Sequence, residues 1–588
     1  MSEAPRDDDQ ARARAGAGSG SVLLEAPAGS GKTAVLTQRF LTLLARVDDP
    51  GEILAITFTR KAAAEMRARV VRALRGEIGA DDPNGPTLRP LAAAALAHAA
   101  ARGWRLAEEP QTLRIQTIDS FNFWLATQLP VAARVGGALA VSDDATELCQ
   151  RAARATLAAL DAEAVLAADG RLLFERLDNN WMHFERLLTQ MLEQRGHWLR
   201  FVADQEPEVL CARVTASLAG LVHARLAALC GRVPQALRTR AAHLPGASPL
   251  GSAPHDLGAW QYLAHLVLTQ DDWRAQVNAH RLGGEFSDPA ACRELKDLIE
   301  DLRRLPGLRE ALLELRRTPP PQLPAADAAA IHALARVLGR AARELHVEFA
   351  VAQRVDHTYV TGAARAALAE SGEPTELALR TGLKLRHILV DEFQDTSLAQ
   401  FQLLETLTAG WEPDDGRTLF VVGDPMQSIY RFRDAEVGLF LRARAAGIGR
   451  VGLEALRLTR NFRAAPALVS FANELFAAVF PAIDDLRSGA VAYRPSTPAR
   501  PAPAPLPAIP PVSLPLFPDD RTAEADALAT RVAALRAADP AGSIAVLVVA
   551  HAHATPVIEA LAARRIGALG VDLVPLAERG IVRDLVSL

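Results

Sequence analysis

The chain has 588 residues, far more than one hydrophobic core can serve, and its 49% hydrophobic and 23% charged residues are ordinary for a globular protein. A net charge of −4 excludes a uniformly basic nucleic-acid coat, while leaving room for a local basic groove, because the local field decides binding. The four cysteines, Cys149, Cys211, Cys230 and Cys292, show no CxxC or Cys/His ligand spacing and read as free thiols in a reducing cytoplasm. The N-terminus carries Asp7-Asp8-Asp9 and lacks the basic and apolar regions of a signal peptide. No stretch reads as long and apolar enough to span a membrane, so no membrane partner is expected.

In chain order, Val22-Leu23-Leu24 opens a buried strand over 22–26. The run Ala26-Pro27-Ala28-Gly29-Ser30-Gly31-Lys32-Thr33 follows and matches the phosphate-binding loop motif, with Ala26 where the strict pattern has glycine. Backbone N–H groups and a helix N-terminus form an anion cradle there, and Gly29 and Gly31 let the backbone close around a phosphate. Lys32 supplies charge for the β- and γ-phosphates, and the Thr33 hydroxyl suits Mg²⁺. The plainer alternative is a Gly-Ser-rich turn between a strand and a helix. A helix is expected over 32–44, a strand over 53–58 and a second helix over 60–75. That alternation reads as a parallel α/β sheet covered on both faces. From 130 to 380 the sequence turns to Ala, Leu and Arg at helical periods, which reads as a large helical insertion. The sheet resumes at 387–390 and 419–422. A second α/β unit is expected after 447, with strands at 456–458 and 544–549 and a Pro-rich extended connection over 495–518.

Asp391-Glu392 follows Leu389-Val390 at the carboxyl end of a strand, where ligands gather in α/β sheets. Asp391 suits a metal, held directly or through water, and Glu392 suits general-base removal of a proton from an attacking water. Alternatively, the pair is two solvated carboxylates favoured by a helix dipole.

The flanking residues narrow the choice. Asp391-Glu392-Phe393-Gln394-Asp395-Thr396-Ser397 resembles the second helicase motif of the UvrD/Rep/RecB group of superfamily 1. The run Gly423-Asp424-Pro425-Met426-Gln427-Ser428-Ile429-Tyr430-Arg431-Phe432-Arg433 resembles its third motif, and Leu458-Thr459-Arg460-Asn461-Phe462-Arg463 its fourth. Ile56-Thr57-Phe58-Thr59-Arg60-Lys61-Ala62-Ala63 is similar to motif Ia, and Thr117-Ile118-Asp119-Ser120-Phe121 to a DNA-contacting motif. The long insertion favours the RecB-like and AddA-like branch of recombinational nuclease-helicases.

The resemblance implies a P-loop NTPase with a RecA-like parallel sheet, a large helical insertion and a partial second RecA-like domain. Its division would be 1–129 and 381–446 for the first motor domain, 130–380 for the insertion and 447–588 for part of the second. It implies ATP and Mg²⁺ as cofactors. The partners it implies are single-stranded and duplex DNA and a second nuclease-helicase subunit. Gln427 would sense the γ-phosphate, and Arg463 would stabilise charge on the transferring phosphoryl group. Phe462 would stack on adenine and Gln10 would read it. Phe58, Tyr430 and Phe432 would stack on bases, with Arg60, Arg433 and Thr117 at the DNA. For the aromatic residues core packing is the bland alternative.

Ala34 stands where many relatives place an arginine against the nucleotide base. No fifth motif of the Thr-x-His-x-x-Lys-Gly-Leu-Glu type and no sixth are found, so the second motor domain is expected to be cut short. The implied function is ATP-dependent 3′ to 5′ translocation and DNA unwinding in recombinational double-strand break repair. The alternative is a truncated, non-catalytic ATP- or DNA-binding fragment. A small-molecule kinase using the same loop would leave the segments around Gln427 and Arg463 unexplained.

Overall fold

The computed structural model describes residues 4–80, 82–128, 140–142, 144–162, 164–202, 207–277, 282, 286–370, 373–374, 385–429, 435–486, 488–501, 512–517 and 520–570. The chain forms two compact units, one from Met1–Ile118 with Gly382–Leu588 and one from Asp119–Thr381.

The first unit is built on a six-stranded sheet. Its strands are β1 (Val22–Glu25), β2 (Ile53–Thr57), β3 (Arg114–Thr117), β4 (His387–Val390), β5 (Thr418–Gly423) and β6 (Glu454–Arg457). They lie in the order β6-β1-β5-β4-β2-β3, and every neighbouring pair is parallel. Strands β1, β2, β4 and β5 are buried along their whole length, which is why they read as unbroken apolar runs. The helices α1 (Ala4–Gly16), α2 (Lys32–Leu44), α3 (Arg60–Leu74) and α4 (Gly85–Arg102) belong to this unit. Val35, Leu36 and Phe40 of α2, Met66 and Val70 of α3 and Ala95 of α4 share one core with Val22, Leu24, Ala55, Phe420 and Val422 of the strands. Each such large side chain contributes roughly 1.5–3 kcal/mol through burial. After β4, α5 (Leu398–Leu407) starts from a capping box between Ser397 and Gln400, and α6 (Val437–Ala446) follows β5.

Strand β6 lies in the residues expected to open a second α/β unit, yet it is the edge strand of this first sheet, paired along β1. An ion cluster around buried Glu25 braces the same region. Glu25 meets Arg494 at 2.6 Å and Arg444 at 3.2 Å, and both arginines also hold Asp484. Residues 544–549, expected as a strand, lie outside every sheet, with Leu547 and Val549 94% and 96% exposed. An apolar run becomes a strand only where a neighbouring backbone pairs with it, and none does among the described residues.

The second unit is mostly helical, and two large hydrophobic cores stand out among its described residues. One joins Thr146–Ala159, Trp181–Glu193 and Ala325–Ala352, and the other joins Pro207–Arg232, Leu257–Val267, Pro289–Arg303 and Leu308–Arg316. The expectation that no stretch is long and apolar enough to span a membrane does not hold for one helix of this unit. The segment Glu208–Arg232 is long and apolar enough by length and composition to cross a membrane. Its leucines and valines, with alanines between them, raise its hydropathy. It packs into the second core through Val222, Leu226 and Leu229, and its Arg225 donates to Thr318 at 2.6 Å.

Candidate nucleotide site

The loop leaves β1 at Ala26, whose N–H donates to the Gly423 carbonyl of β5 at 2.9 Å and whose methyl group is in the core. Alanine in place of the motif's first glycine is therefore a packed position and leaves the cradle intact. Ser30 N–H turns back to the Pro27 carbonyl at 3.1 Å. Gly29 and Gly31 are left-handed, with φ of 76° and 84°, and Gly31 caps α2. Lys32 and Thr33 thus open the first turn of that helix, where N–H groups lack intrahelical partners. The hydroxyl of Ser30 is buried and without a hydrogen-bond partner among the described residues. A left-handed glycine cradle, a helix N-terminus and an orphaned hydroxyl together fit a phosphate chain.

Lys32 Nζ lies 2.8 Å from Glu392 Oε2, and Gln394 Nε2 donates to the same oxygen at 2.8 Å. Glu392 has φ of 48°, a left-handed geometry that a side chain adopts at a cost of about 1–2 kcal/mol. Burial pushes its carboxyl up, but Lys32, Gln394 and the charge of Arg463 outweigh it, and the group stays below its ordinary value. Asp391 behaves in the opposite way. Burial and the neighbouring Glu392 charge push it up to about 6, against the pull of Lys32. Asp395 also rises to about 6, from burial first and Glu392 second. The site therefore holds one carboxylate drawn below its ordinary value beside neighbours that burial pushes above theirs.

Gln427 ends the short helical turn after β5, with its N–H on the Asp424 carbonyl at 2.9 Å and its side-chain amide on the Asp424 carboxylate. Buried Asp424 in turn receives the Met426 N–H at 3.0 Å, and its own N–H donates to Gln394 Oε1 at 2.9 Å. One side chain, Gln394, therefore joins the turn that carries Gln427 to Glu392.

The segment after β6 closes on the loop. Phe462 N–H donates to the Gly29 carbonyl at 2.8 Å, and Asn461 Nδ2 donates to the Ala28 carbonyl at 3.0 Å. Asn461 Oδ1 accepts the N–H groups of Arg463 and Ala464, each at 2.9 Å. A Cβ on Gly29 would lie 2.6 Å from Asn461 Oδ1 and 2.7 Å from Arg463 Cβ, so this loop residue has no room for a side chain. Arg463 is exposed and electrostatically coupled to Glu392. Phe462 is 44% exposed, with the guanidinium carbons of Arg12 and Arg460 at 5.0 and 5.2 Å from its ring centre. Gln10 is exposed on α1.

Of the residues expected at DNA, Thr57 and Thr117 are in register at the carboxyl ends of β2 and β3. That brings Phe58, half-buried, and Arg60, exposed, close in sequence to one end and Thr117, buried, to the other. Tyr430, Phe432 and Arg433 lie outside the described residues. Asp8, Arg12, Gln394 and Asn461 are site residues that the sequence reading did not single out. Gln394 and Asn461 stand inside quoted motifs, while Asp8 and Arg12 had no signal beyond flanking Gln10. A cavity of about 580 Å³ lies away from all of these, at the amino ends of the strands, among Arg46, Arg386, Trp411 and Arg417.

A glycine loop leading from a parallel strand into a helix, with a lysine paired to a carboxylate at the end of a nearby strand, defines the P-loop NTPase class. The sequence model of the UvrD/REP helicase N-terminal domain matches residues 7–244 and 256–446. The chain belongs to that family. It is similar to the A subunit of the ATP-dependent helicase/nuclease of Pelotomaculum thermopropionicum, 29% identical over 513 residues, covering 80% of this chain and 38% of the relative. The same-named protein of Bacillus licheniformis is 28% identical over 488 residues, again covering 38% of the relative and 77% of this chain. That of Staphylococcus carnosus is 42% identical over 109 residues, 18% of this chain and 9% of the relative. The chain thus spans 38% of the length of the first two of these relatives.

Proposed function

We propose that this chain carries the ATPase site of a DNA helicase/translocase that moves 3′ to 5′ on single-stranded DNA. It would serve recombinational double-strand break repair beside a second nuclease-helicase subunit. The names of its relatives support the class of activity. The observation that carries the reading is the Lys32–Glu392 pair at 2.8 Å beside Asp391, at the mouth of the glycine loop. Lys32 and the loop N–H groups hold the β- and γ-phosphates, and Glu392, kept ionised, accepts the proton of the attacking water. Thr33 and Asp391 would hold Mg²⁺, which neutralises charge on the phosphate oxygens. Gln427 reports phosphate occupancy through Asp424 and Gln394, and Arg463 stabilises the transferring group. Phe58, Arg60, Thr117, Tyr430, Phe432 and Arg433 would contact the DNA strand. The motor would divide as 1–129 with 381–446, interrupted by the insertion 130–380. Residues 447–588 open a second motor domain that lends β6 to the first sheet.

A second reading is a chain that binds ATP or DNA without turning over, favoured by the apolar run 544–549, which pairs with no strand among the described residues. Steady-state ATP hydrolysis with and without single-stranded DNA separates the two, with Glu392→Gln as the blank. The motor reading expects DNA-stimulated turnover that drops about 10²–10⁴-fold in the variant. Absent turnover with Lys32-dependent nucleotide binding selects the second reading. Nucleotide binding indifferent to Lys32 sinks both.

A further inference from the structure

The ring of Phe462 and the guanidinium of Arg12 meet beside the phosphate cradle, and both are held there by other groups. Asp8, only 2% exposed, receives Arg12 Nε on Oδ2 at 2.8 Å. Its other oxygen, Oδ1, receives the N–H groups of Thr459 and Arg460 at 2.6 and 3.2 Å. One buried carboxylate thus ties α1 to the segment that carries Phe462. Arg12 also donates to the Ser30 carbonyl at 2.6 Å, so the same guanidinium is anchored to the phosphate loop. Phe462 is anchored to that loop by its own N–H on the Gly29 carbonyl at 2.8 Å. A planar cation and an aromatic ring are consequently fixed next to a cradle for phosphates. A flat, electron-rich heteroaromatic ring is what such a pair grips, by stacking on one side and cation–π attraction on the other.

We propose that Arg12 is a base-contacting residue of the nucleotide site, working with Phe462 on the purine of the triphosphate, and that Asp8 is its positioning residue. This rests on the reading of the loop as a nucleotide site. A base entering against Phe462 displaces the guanidinium from the ring and gains it as a wall. Because the bonds to Asp8 and Ser30 carry the arginine, it stays at the site when it leaves the ring. The contact serves binding of the base and contributes nothing to holding phosphates.

The test compares ATP with inorganic tripolyphosphate as competitors of a fluorescent nucleotide on the full chain. Arg12→Ala is expected to weaken ATP about tenfold, the scale of a desolvated cation–π contact, and to leave tripolyphosphate within about twofold. Arg12→Gln keeps a planar donor to the Ser30 carbonyl while removing the charge, and is expected to show the same selective loss. Asp8→Asn, which weakens the hold on Arg12, is expected to fall in between. Unchanged ATP affinity in Arg12→Ala, or equal loss of both competitors in Arg12→Gln, overturns the proposal. A parent chain that binds neither competitor overturns the nucleotide site itself, whereas one that binds both equally well overturns only the base contact.

Discussion

Lys32 and Glu392 neutralise one another across 2.8 Å, although they come from α2 and from the end of β4, 360 residues apart in the chain. A triphosphate on the loop competes for the same ammonium group. On the proposed reading, drawing Lys32 toward the phosphates would loosen its grip on the carboxylate that takes the proton of the attacking water. That reading couples binding and base activation through one ion pair.

Lys32→Ala is accordingly expected to weaken ATP binding by about 100-fold, the equivalent of about 3 kcal/mol of charge-assisted hydrogen bonding. It also removes the charge that holds Glu392 ionised, so that carboxyl rises. Titration with a fluorescent nucleotide reads the first effect. An unchanged affinity would remove the glycine loop from the ATP site.

Two loop glycines separate backbone strain from crowding. Gly20 has φ of 68° and nothing within 4 Å of where a methyl group would sit, whereas Gly29 has φ of 76° with Asn461 and Arg463 in the way. Gly20→Ala should cost only the left-handed strain of about 1–2 kcal/mol. Gly29→Ala should cost about 1–3 kcal/mol more from overpacking, and should lose nucleotide binding as the 461–463 segment is pushed off. Urea denaturation of the two variants gives the comparison, and equal losses would mean that the segment yields freely.

The raised Asp391 carboxyl fixes a pH dependence. Its folded value of about 6 exceeds the ordinary carboxylate value, so the folded state holds the proton more tightly than the unfolded chain does. The resulting stability is fully present at acid pH and is lost as pH rises through about 6. Asp391→Asn, which mimics the protonated form, should therefore raise the melting temperature at pH 7.5. The gain should fade toward pH 4. Thermal melts at the two pH values test this, and a gain that grew on acidification would reverse the assigned direction. The same variant removes the proposed Mg²⁺ ligand, so extra stability at pH 7.5 should come with weaker metal-dependent nucleotide binding.

Much of the sheet was legible because its strands are buried on both faces and read as unbroken apolar runs, as in Val22-Leu23-Leu24 and His387-Ile388-Leu389-Val390. Helix α2 runs over the expected 32–44, and α3 ends one residue from its expected end. What failed was assignment of partners. Strand β6 was visible as a strand, but nothing in four residues says which sheet it joins. The run 544–549 had the composition of a strand and pairs with no neighbour among the described residues. The site divides in the same way. Lys32, Asp391 and Glu392 are recognisable by their spacing within motifs. Asp8 looks like one member of a solvated acidic run, and only the fold buries it against backbone 451 residues away.

The placement of β6 limits how Arg463 can behave. Arg457 is the last residue of an edge strand paired with β1, the strand that feeds the glycine loop. Six residue steps separate it from Arg463, a leash of about 20 Å at full stretch and much less as folded. An arginine on so short a leash cannot sweep in from a distant body while β6 stays paired. Its motion is confined to swivelling about Thr459 and Asn461, unless the edge strand peels from the sheet. Timing of phosphoryl transfer would then be set by the zipping of a single edge strand, a local and rapid event compared with the travel of a whole domain.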